Sequence, residues 1–185
     1  MQTFAILTVT SNDKPGIVEA IATKVTEHQG NWLESSLAQL AGKFVGVVRI
    51  SLPQTQCEPL VVQLQQLSSR GITISFDIES ANNKSTAQLT AKFHAVGPDR
   101  TGIVKELSTA FAKRSINVNE LETTLSSMPY SGDPLFEANG EVSLPDNTEL
   151  NAVYERLDDI ANDLGIDISI HVNDEENSVE DTVSV

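Results

Sequence analysis

The sequence has 185 residues, with 12 lysines and arginines against 26 aspartates and glutamates, and 39% of its residues are hydrophobic. This composition is typical of a soluble globular protein, and the length allows one large core or two small ones. A formal net charge of −14 argues against direct binding to DNA, which is itself a polyanion. The N-terminus has no basic segment and no apolar run approaches about 18 residues, so we expect neither secretion nor insertion into a membrane.

The chain opens with a predicted strand followed by a helix. Residues 3–10 are rich in β-branched and apolar side chains, which favours a strand. Apolar residues at helical spacing from Ile17 to Val25 predict a helix that ends at Gly30. We expect Asp13 to be its N-cap, with Pro15 in the first turn.

Four further elements complete the first half of the chain. Residues 31–40 and 44–52 predict two strands, residues 59–69 a helix and residues 73–78 a closing strand. The order is βαββαβ, the ferredoxin-like split βαβ unit, in which both helices cover one face of the sheet. The other face must be buried by something, and a second copy of the unit is the nearest partner.

The second half of the chain repeats the first. Residues 12–18 return as residues 98–104, a shift of 86, and seven identical residues keep that shift between residues 13 and 34. Chance would give roughly one or two. The identical pairs are Asp13 and Asp99, Gly16 and Gly102, Ile17 and Ile103, Val18 and Val104, Thr23 and Thr109, Asn31 and Asn117, and Glu34 and Glu120.

The elements of the second copy follow from this alignment. We expect strands at residues 88–96, 116–126, 135–144 and 166–172, and helices at residues 101–113 and 148–164. The shift later grows, which indicates an inserted loop at residues 128–135. The prediction is therefore an α+β protein with two tandem βαββαβ ferredoxin-like domains. We expect domain 1 at residues 1–79, a linker at 80–86, domain 2 at 87–172 and a disordered acidic tail at 173–185.

The repeated residues suit a small zwitterionic ligand. A helix start offers unpaired backbone N–H groups to a carboxylate, and a glycine there lets a ligand approach the backbone. A neighbouring aspartate can bind an ammonium group, and an asparagine adds both donors and an acceptor. The same residues also have a purely structural interpretation, because aspartate caps helices and glycine serves tight turns. The turn after the first strand and the start of the second strand lie at opposite ends of the sheet. A ligand that touches both must therefore span an interface or lie along a loop that folds back.

The run Asp13-Lys14-Pro15-Gly16-Ile17-Val18, with Asn31 after it, resembles the signature of ACT domains, which are small βαββαβ modules that bind amino acids and regulate metabolic enzymes or transcription. The second copy has Thr101 where the motif prefers proline. Residues 28–35 followed by residues 40–44 resemble tandem-ACT proteins of the glycine cleavage system transcriptional repressor type. The resemblance implies an amino acid ligand, with glycine or serine favoured. The ligand-binding residues that it implies are Asp13, Gly16, Ile17, Asn31, Asp99, Gly102, Ile103 and Asn117.

Ser11 and Gly97 stand where some amino-acid-binding ACT modules have a histidine, so the resemblance does not carry the side-chain selectivity over.

The sequence holds little that favours catalysis. His28, His94 and His171 lie far apart, and the single cysteine, Cys57, lies in a predicted polar loop and cannot form an internal disulfide. Motifs for metals, phosphates and dinucleotides are not found. We therefore expect a cytoplasmic protein that is not an enzyme and that uses neither cofactor nor metal.

Two functions remain open. The first is an amino-acid-sensing transcriptional regulator of glycine cleavage, an oligomer that acts through protein contact, with a DNA-bound transcription activator as its partner under the repressor resemblance. The alternative is a regulatory or interaction subunit of a metabolic enzyme with a degenerate ligand site. Stabilisation by a ligand separates the two.

Overall fold

A computed structural model of the chain describes residues 1–79, 89–145 and 150–172. The chain divides into two compact units, Met1–Lys84 and Ser85–Val185, here called unit 1 and unit 2. The linker expected at residues 80–86 and the tail expected at residues 173–185 lie outside the described residues.

Unit 1 contains four strands and two α-helices in the predicted order. Its elements are β1 (Gln2–Asn12), α1 (Ile17–Glu27), β2 (Asn31–Leu40), β3 (Lys43–Pro53), α2 (Cys57–Gln66) and β4 (Ile72–Ile78). Short 3₁₀ turns flank α2 at Gln54–Gln56 and Leu67–Arg70. The sheet order is β2-β3-β1-β4, and the pairs β1–β3, β1–β4 and β2–β3 are all antiparallel.

Unit 2 repeats this arrangement. Its elements are β5 (Thr90–Pro98), α3 (Ile103–Lys113), β6 (Asn117–Ser127), β7 (Pro134–Ser143), α4 (Leu150–Leu164) and β8 (Asp167–Val172). The sheet order β6-β7-β5-β8 is the counterpart of that in unit 1, again with antiparallel pairs. The predicted α+β fold with two βαββαβ domains is therefore confirmed.

Each unit has its own core between the helices and one face of the sheet. In β1, Ala5, Leu7 and Val9 are fully buried and alternate with more exposed residues, as the two-residue period of a strand requires. They form one hydrophobic cluster with residues of α1 and α2 that include Ile21 and Leu60. A separate cluster in unit 2 joins β5 and β7 to α3 and α4.

The prediction that Asp13 caps the first helix is wrong. Helix α1 begins at Ile17, its N-cap is Gly16 in the left-handed conformation, and no side chain caps it. The equivalent helix α3 begins at Ile103 after Gly102 rather than at Thr101. The reason is that the connection from the strand ends in a left-handed glycine, which turns the backbone into the helix several residues after the aspartate.

Cys57 does not lie in a polar loop as expected. It is the first residue of α2, and its side chain lies in the unit 1 core. Burial raises the pKa of the Cys57 thiol, so the neutral form is favoured in the folded chain.

Candidate functional site

The connection between the first strand and the first helix of each unit is built around one left-handed glycine. The φ angle is 87° at Gly16 and 93° at Gly102. A Cβ placed on either residue would meet nothing within 4 Å. The glycines are therefore needed for their backbone conformation rather than for lack of space, and the volume beside each of them is open to a ligand.

The strand ends fix the position of each connection. In unit 1, the backbone N–H of Asp13 donates to the carbonyl of Gly42, at 2.8 Å, in the neighbouring β2–β3 turn. In unit 2, the N–H of Asp99 donates to the carbonyl of Pro134 at 3.0 Å. Both aspartates thus start from a backbone anchored to the adjacent hairpin.

A basic residue of each connection reaches the end of the helical segment that precedes the last strand of its unit. The Nζ of Lys14 donates to the carbonyl of Arg70, and the Nη2 of Arg100 donates to the carbonyl of Leu164 at 3.0 Å. Both acceptors directly precede a left-handed glycine, Gly71 or Gly165. These cations satisfy carbonyls at helix C-termini, where positive charge is favoured, and so they hold the connection in place.

The structure does not bring the two predicted asparagines to these connections within their own units. Asn31 lies opposite Ser51 on β3, which in turn lies opposite Phe4 near the start of β1. The connection follows Asn12 at the other end of β1, about 26 Å away at roughly 3.3 Å per residue.

Asn117 has the same placement in unit 2, opposite Ser143 and hence Thr90. Its side-chain amide donates to Asn119 at 2.9 Å, and Asn119 donates to Ser143 at 2.7 Å. This polar chain holds Asn117 at the far end of the sheet from Asp99.

A pocket of about 310 Å³ lies beside the connection of unit 2. Three of the predicted residues, Asp99, Gly102 and Ile103, line it together. The remaining lining residues come from the same turn and from the two neighbouring strands; they are Arg100, Val104, Thr123, Thr124, Leu125 and Phe136. The volume is at the lower end of the range for small-molecule sites, about 300–1,000 Å³.

Sequence reasoning missed Thr123, Leu125 and Phe136. In the sequence they are ordinary strand residues, and nothing local distinguishes them. Register pairs Leu125 with Phe136 and places Phe136 opposite Gly97, directly before the connection. The signal that could have found them is the change in residue size between the two copies at the shift of 86, since leucine at position 37 becomes threonine at position 123.

Among the described residues, the structure holds no group of three or more His, Cys, Asp or Glu side chains placed to bind a metal ion. Within the same residues, no helix is long and apolar enough to span a membrane.

The fold and this connection define a class: a protein of two tandem βαββαβ domains, with a pocket beside the first strand-to-helix connection of the second domain. Residues 3–77, which make up most of unit 1, match the ACT domain family. Unit 1 therefore resembles ACT domains, and unit 2 repeats its fold.

Solved structures of similar fold cover most of the chain. The crystal structure of an unknown protein from Galdieria sulphuraria has 26% sequence identity and a TM-score of 0.79, covering 93% of this chain and 99% of that one. A provisionally named glycine cleavage system transcriptional repressor has 19% identity and a TM-score of 0.70, covering 93% and 98%. No curated protein matches the sequence.

Proposed function

We propose that this chain is an amino-acid-sensing regulatory protein without catalytic activity. The observation that carries the proposal is the pocket at the connection of unit 2, in a chain whose other unit matches the ACT domain family. The pocket gathers an aspartate, a left-handed glycine and the start of a helix within one small volume.

The chemistry of the pocket suits a free amino acid. The Asp99 carboxylate can accept hydrogen bonds from an ammonium group, and N–H groups in the first turn of α3 can donate to a carboxylate. The apolar walls formed by Ile103, Leu125 and Phe136 are left for the side chain. The same geometry supports Asp13, Gly16 and Ile17 as the corresponding ligand-binding residues of unit 1.

Asn31 and Asn117 would contribute to such a site from a second chain. β2 and β6 are edge strands, and most of their residues are exposed. If an edge strand pairs antiparallel with its counterpart in a second chain, the asparagine at its start comes to the end where the other chain has its aspartate–glycine connection. We therefore propose a homo-oligomer with an even number of chains, in which each asparagine completes its neighbour's site.

The output that we propose is a protein contact that regulates transcription of glycine cleavage. The likeness to the provisionally named repressor supports this output, and the net charge of −14 favours contact with a DNA-bound activator over contact with DNA itself. A ligand can shift such a regulator only through its different affinities for two states. Ligand and partner must therefore change each other's affinity by the same factor.

The test is a thermal-shift titration of the full chain with each of the twenty amino acids. A specific ligand at a hundredfold excess over its Kd adds about 2.7 kcal/mol, which in a chain of this size raises the Tm by roughly 5 to 10 °C. Glycine and serine, which the sequence resemblance favours, belong in the first set measured. The absence of a shift with every amino acid at millimolar concentration would overturn the sensing function and favour the alternative of a subunit with a degenerate site.

Two variants locate the binding site. Asn31→Ala and Asn117→Ala are expected to lower affinity in the unit whose site each completes, while the unliganded Tm changes little because both side chains are exposed. If an amino acid binds the wild type and both variants equally well, the asparagines are not ligand-binding residues.

A further inference from the structure

The two units differ at one inward-facing position beside the connection. Leu37 on β2 pairs with Gly46 on β3. The same register position in unit 2 pairs Thr123 on β6 with Ala138 on β7. A β-bulge near the start of each edge strand falls at the same place, so the two strands correspond residue by residue.

Leu37 fills this position in unit 1. Its side chain is partly buried and packs against the unit 1 core together with Phe44. A Cβ on Gly46 would lie 2.3 Å from the backbone oxygen of Ser36 and 2.6 Å from the Cδ2 atom of Leu37, so both the backbone of β2 and the leucine side chain approach this glycine closely. The leucine side chain therefore packs over the glycine.

Thr123 leaves the corresponding position open in unit 2. Its side chain is exposed, and Ala138 beside it is fully buried with only a methyl group. The pocket of about 310 Å³ lies here. Replacing leucine with threonine removes apolar volume in front of Phe136, and that volume becomes accessible to a ligand.

The apolar wall of the pocket faces water in the unliganded chain. Leu125 is 67% exposed and Val104 is 40% exposed, whereas Phe136 and Ile103 form a buried floor. The polar groups, Asp99 and Arg100, lie on the connection. Arg100 is already bonded to Leu164 and, at 2.5 Å, to Glu106, which leaves Asp99 as the charged group for a ligand.

We propose that the pocket of unit 2 binds an amino acid with a branched aliphatic side chain, such as valine, leucine or isoleucine, and that Leu37 fills the equivalent side-chain volume in unit 1, which leaves room there only for an amino acid with a small side chain. This inference rests on the proposed function and names the ligand class. The backbone ammonium and carboxylate lie at the Asp99–Gly102 connection, and the side chain covers Leu125 and Phe136. Each methylene buried there tightens binding by a factor of roughly four. Glycine has no side chain to bury, and the side chain of serine is short and polar, so neither gains much from this contact.

The experiment is isothermal titration calorimetry of the full chain with leucine, valine, serine and glycine. We expect leucine or valine to bind about tenfold or more tightly than glycine, with a stoichiometry of one leucine or valine per chain. Thr123→Leu reproduces the packing of unit 1 and is expected to weaken binding of leucine by about tenfold or more. Thr123→Ser keeps the pocket open and is expected to leave the affinity within about threefold of the wild type.

The thermal transition of Thr123→Leu shows independently whether this variant folds. We expect it to fold, because unit 1 has a leucine at the equivalent position. If glycine or serine binds as tightly as leucine, or if Thr123→Leu binds leucine normally, the inference is wrong while the sensing function stands. If none of the twenty amino acids binds, both are wrong. A second leucine bound per chain would show that the side-chain volume of unit 1 is open and would overturn the assignment of Leu37.

Discussion

Gly16 and Gly102 decide where the first helix of each unit begins. A left-handed residue is needed at this point, and for an L-amino acid with a Cβ that conformation costs about 1–2 kcal/mol. A Cβ placed on either glycine would meet no atom within 4 Å, so a small side chain there would cause no steric clash. The conformational cost is then the only free-energy cost of the substitution. The open space beside the glycine is also what lets a ligand reach the turn.

We expect Gly16→Ala to lower the free energy of unfolding by about 1 kcal/mol, with a smaller loss for Gly16→Asn, since asparagine tolerates the left-handed region better than alanine. Urea unfolding followed by circular dichroism measures both variants. Equal stabilities for Gly16→Ala and the wild type would contradict the left-handed conformation at this residue.

At the scale of the elements, Arg49 links strands across the sheet face that α1 and α2 leave uncovered. Its guanidinium pairs with Glu79, just after β4, at 2.9 Å and with Glu34 on β2 at 3.1 Å. It also lies 5.2 Å from the centre of the Phe4 ring on β1. Hydrogen bonds from Arg49 to Glu79, and then to Glu34, raise the pKa of Arg49, so it stays charged at any working pH. Glu34, which the repeat singled out, thus has a structural partner.

Arg49→Met is expected to lower the Tm in dilute buffer, because it leaves two carboxylates on the same face without their cation. Since Glu34 is exposed and Arg49 and Glu79 are only partly buried, the loss should shrink at about 0.5–1 M salt, where screening acts over about 3–4 Å. Differential scanning calorimetry at both ionic strengths measures the effect. The control is the same substitution, Arg49→Met, in a chain that already carries Glu34→Gln and Glu79→Gln, where the loss of Tm should be smaller. An equal loss of Tm in both backgrounds would show that Arg49 stabilises the unit by packing on Phe4 rather than by its charge.

At the scale of the whole molecule, net charge distinguishes this chain from proteins that bind DNA directly. The excess of acidic residues gives a sequence pI near 4.4, and binding to DNA depends largely on basic side chains that displace counterions. An acidic chain can still act on transcription through a partner that supplies the DNA contacts.

We expect the purified chain to leave a fluorescent DNA duplex unshifted in an electrophoretic mobility assay at about 150 mM salt and micromolar protein. The assay is repeated with the amino acid ligand, since a ligand can change the arrangement of the chains but not the sign of their charge. A retarded band with or without ligand would contradict the proposal that output passes through a protein contact.

Much of the fold follows from local sequence. The residue pattern predicts the bounds of β2 to the residue, and the repeat at a shift of 86 carries the topology of unit 1 into unit 2. Alternation of buried and exposed residues identifies a strand, and that pattern is local. The starts of α1 and α3 are not predictable in this way, because an aspartate four residues before a helix and an aspartate N-cap look alike until the backbone conformation of the glycine is known.

The sequence by itself determined the fold class, the repeat and the residues of the connection. Each of these is recorded in local residue patterns, and the repeat is the recurrence of one such pattern further along the chain. Only the tertiary structure decided which of those residues can meet. Strand pairing separates Asn31 from Asp13 by the length of a strand, and it brings Thr123 and Phe136, which no motif marks, to the pocket beside Asp99. The physical reason is that a binding pocket is made of cross-strand neighbours, and register, which sets those neighbours, is fixed by the packing of the whole sheet.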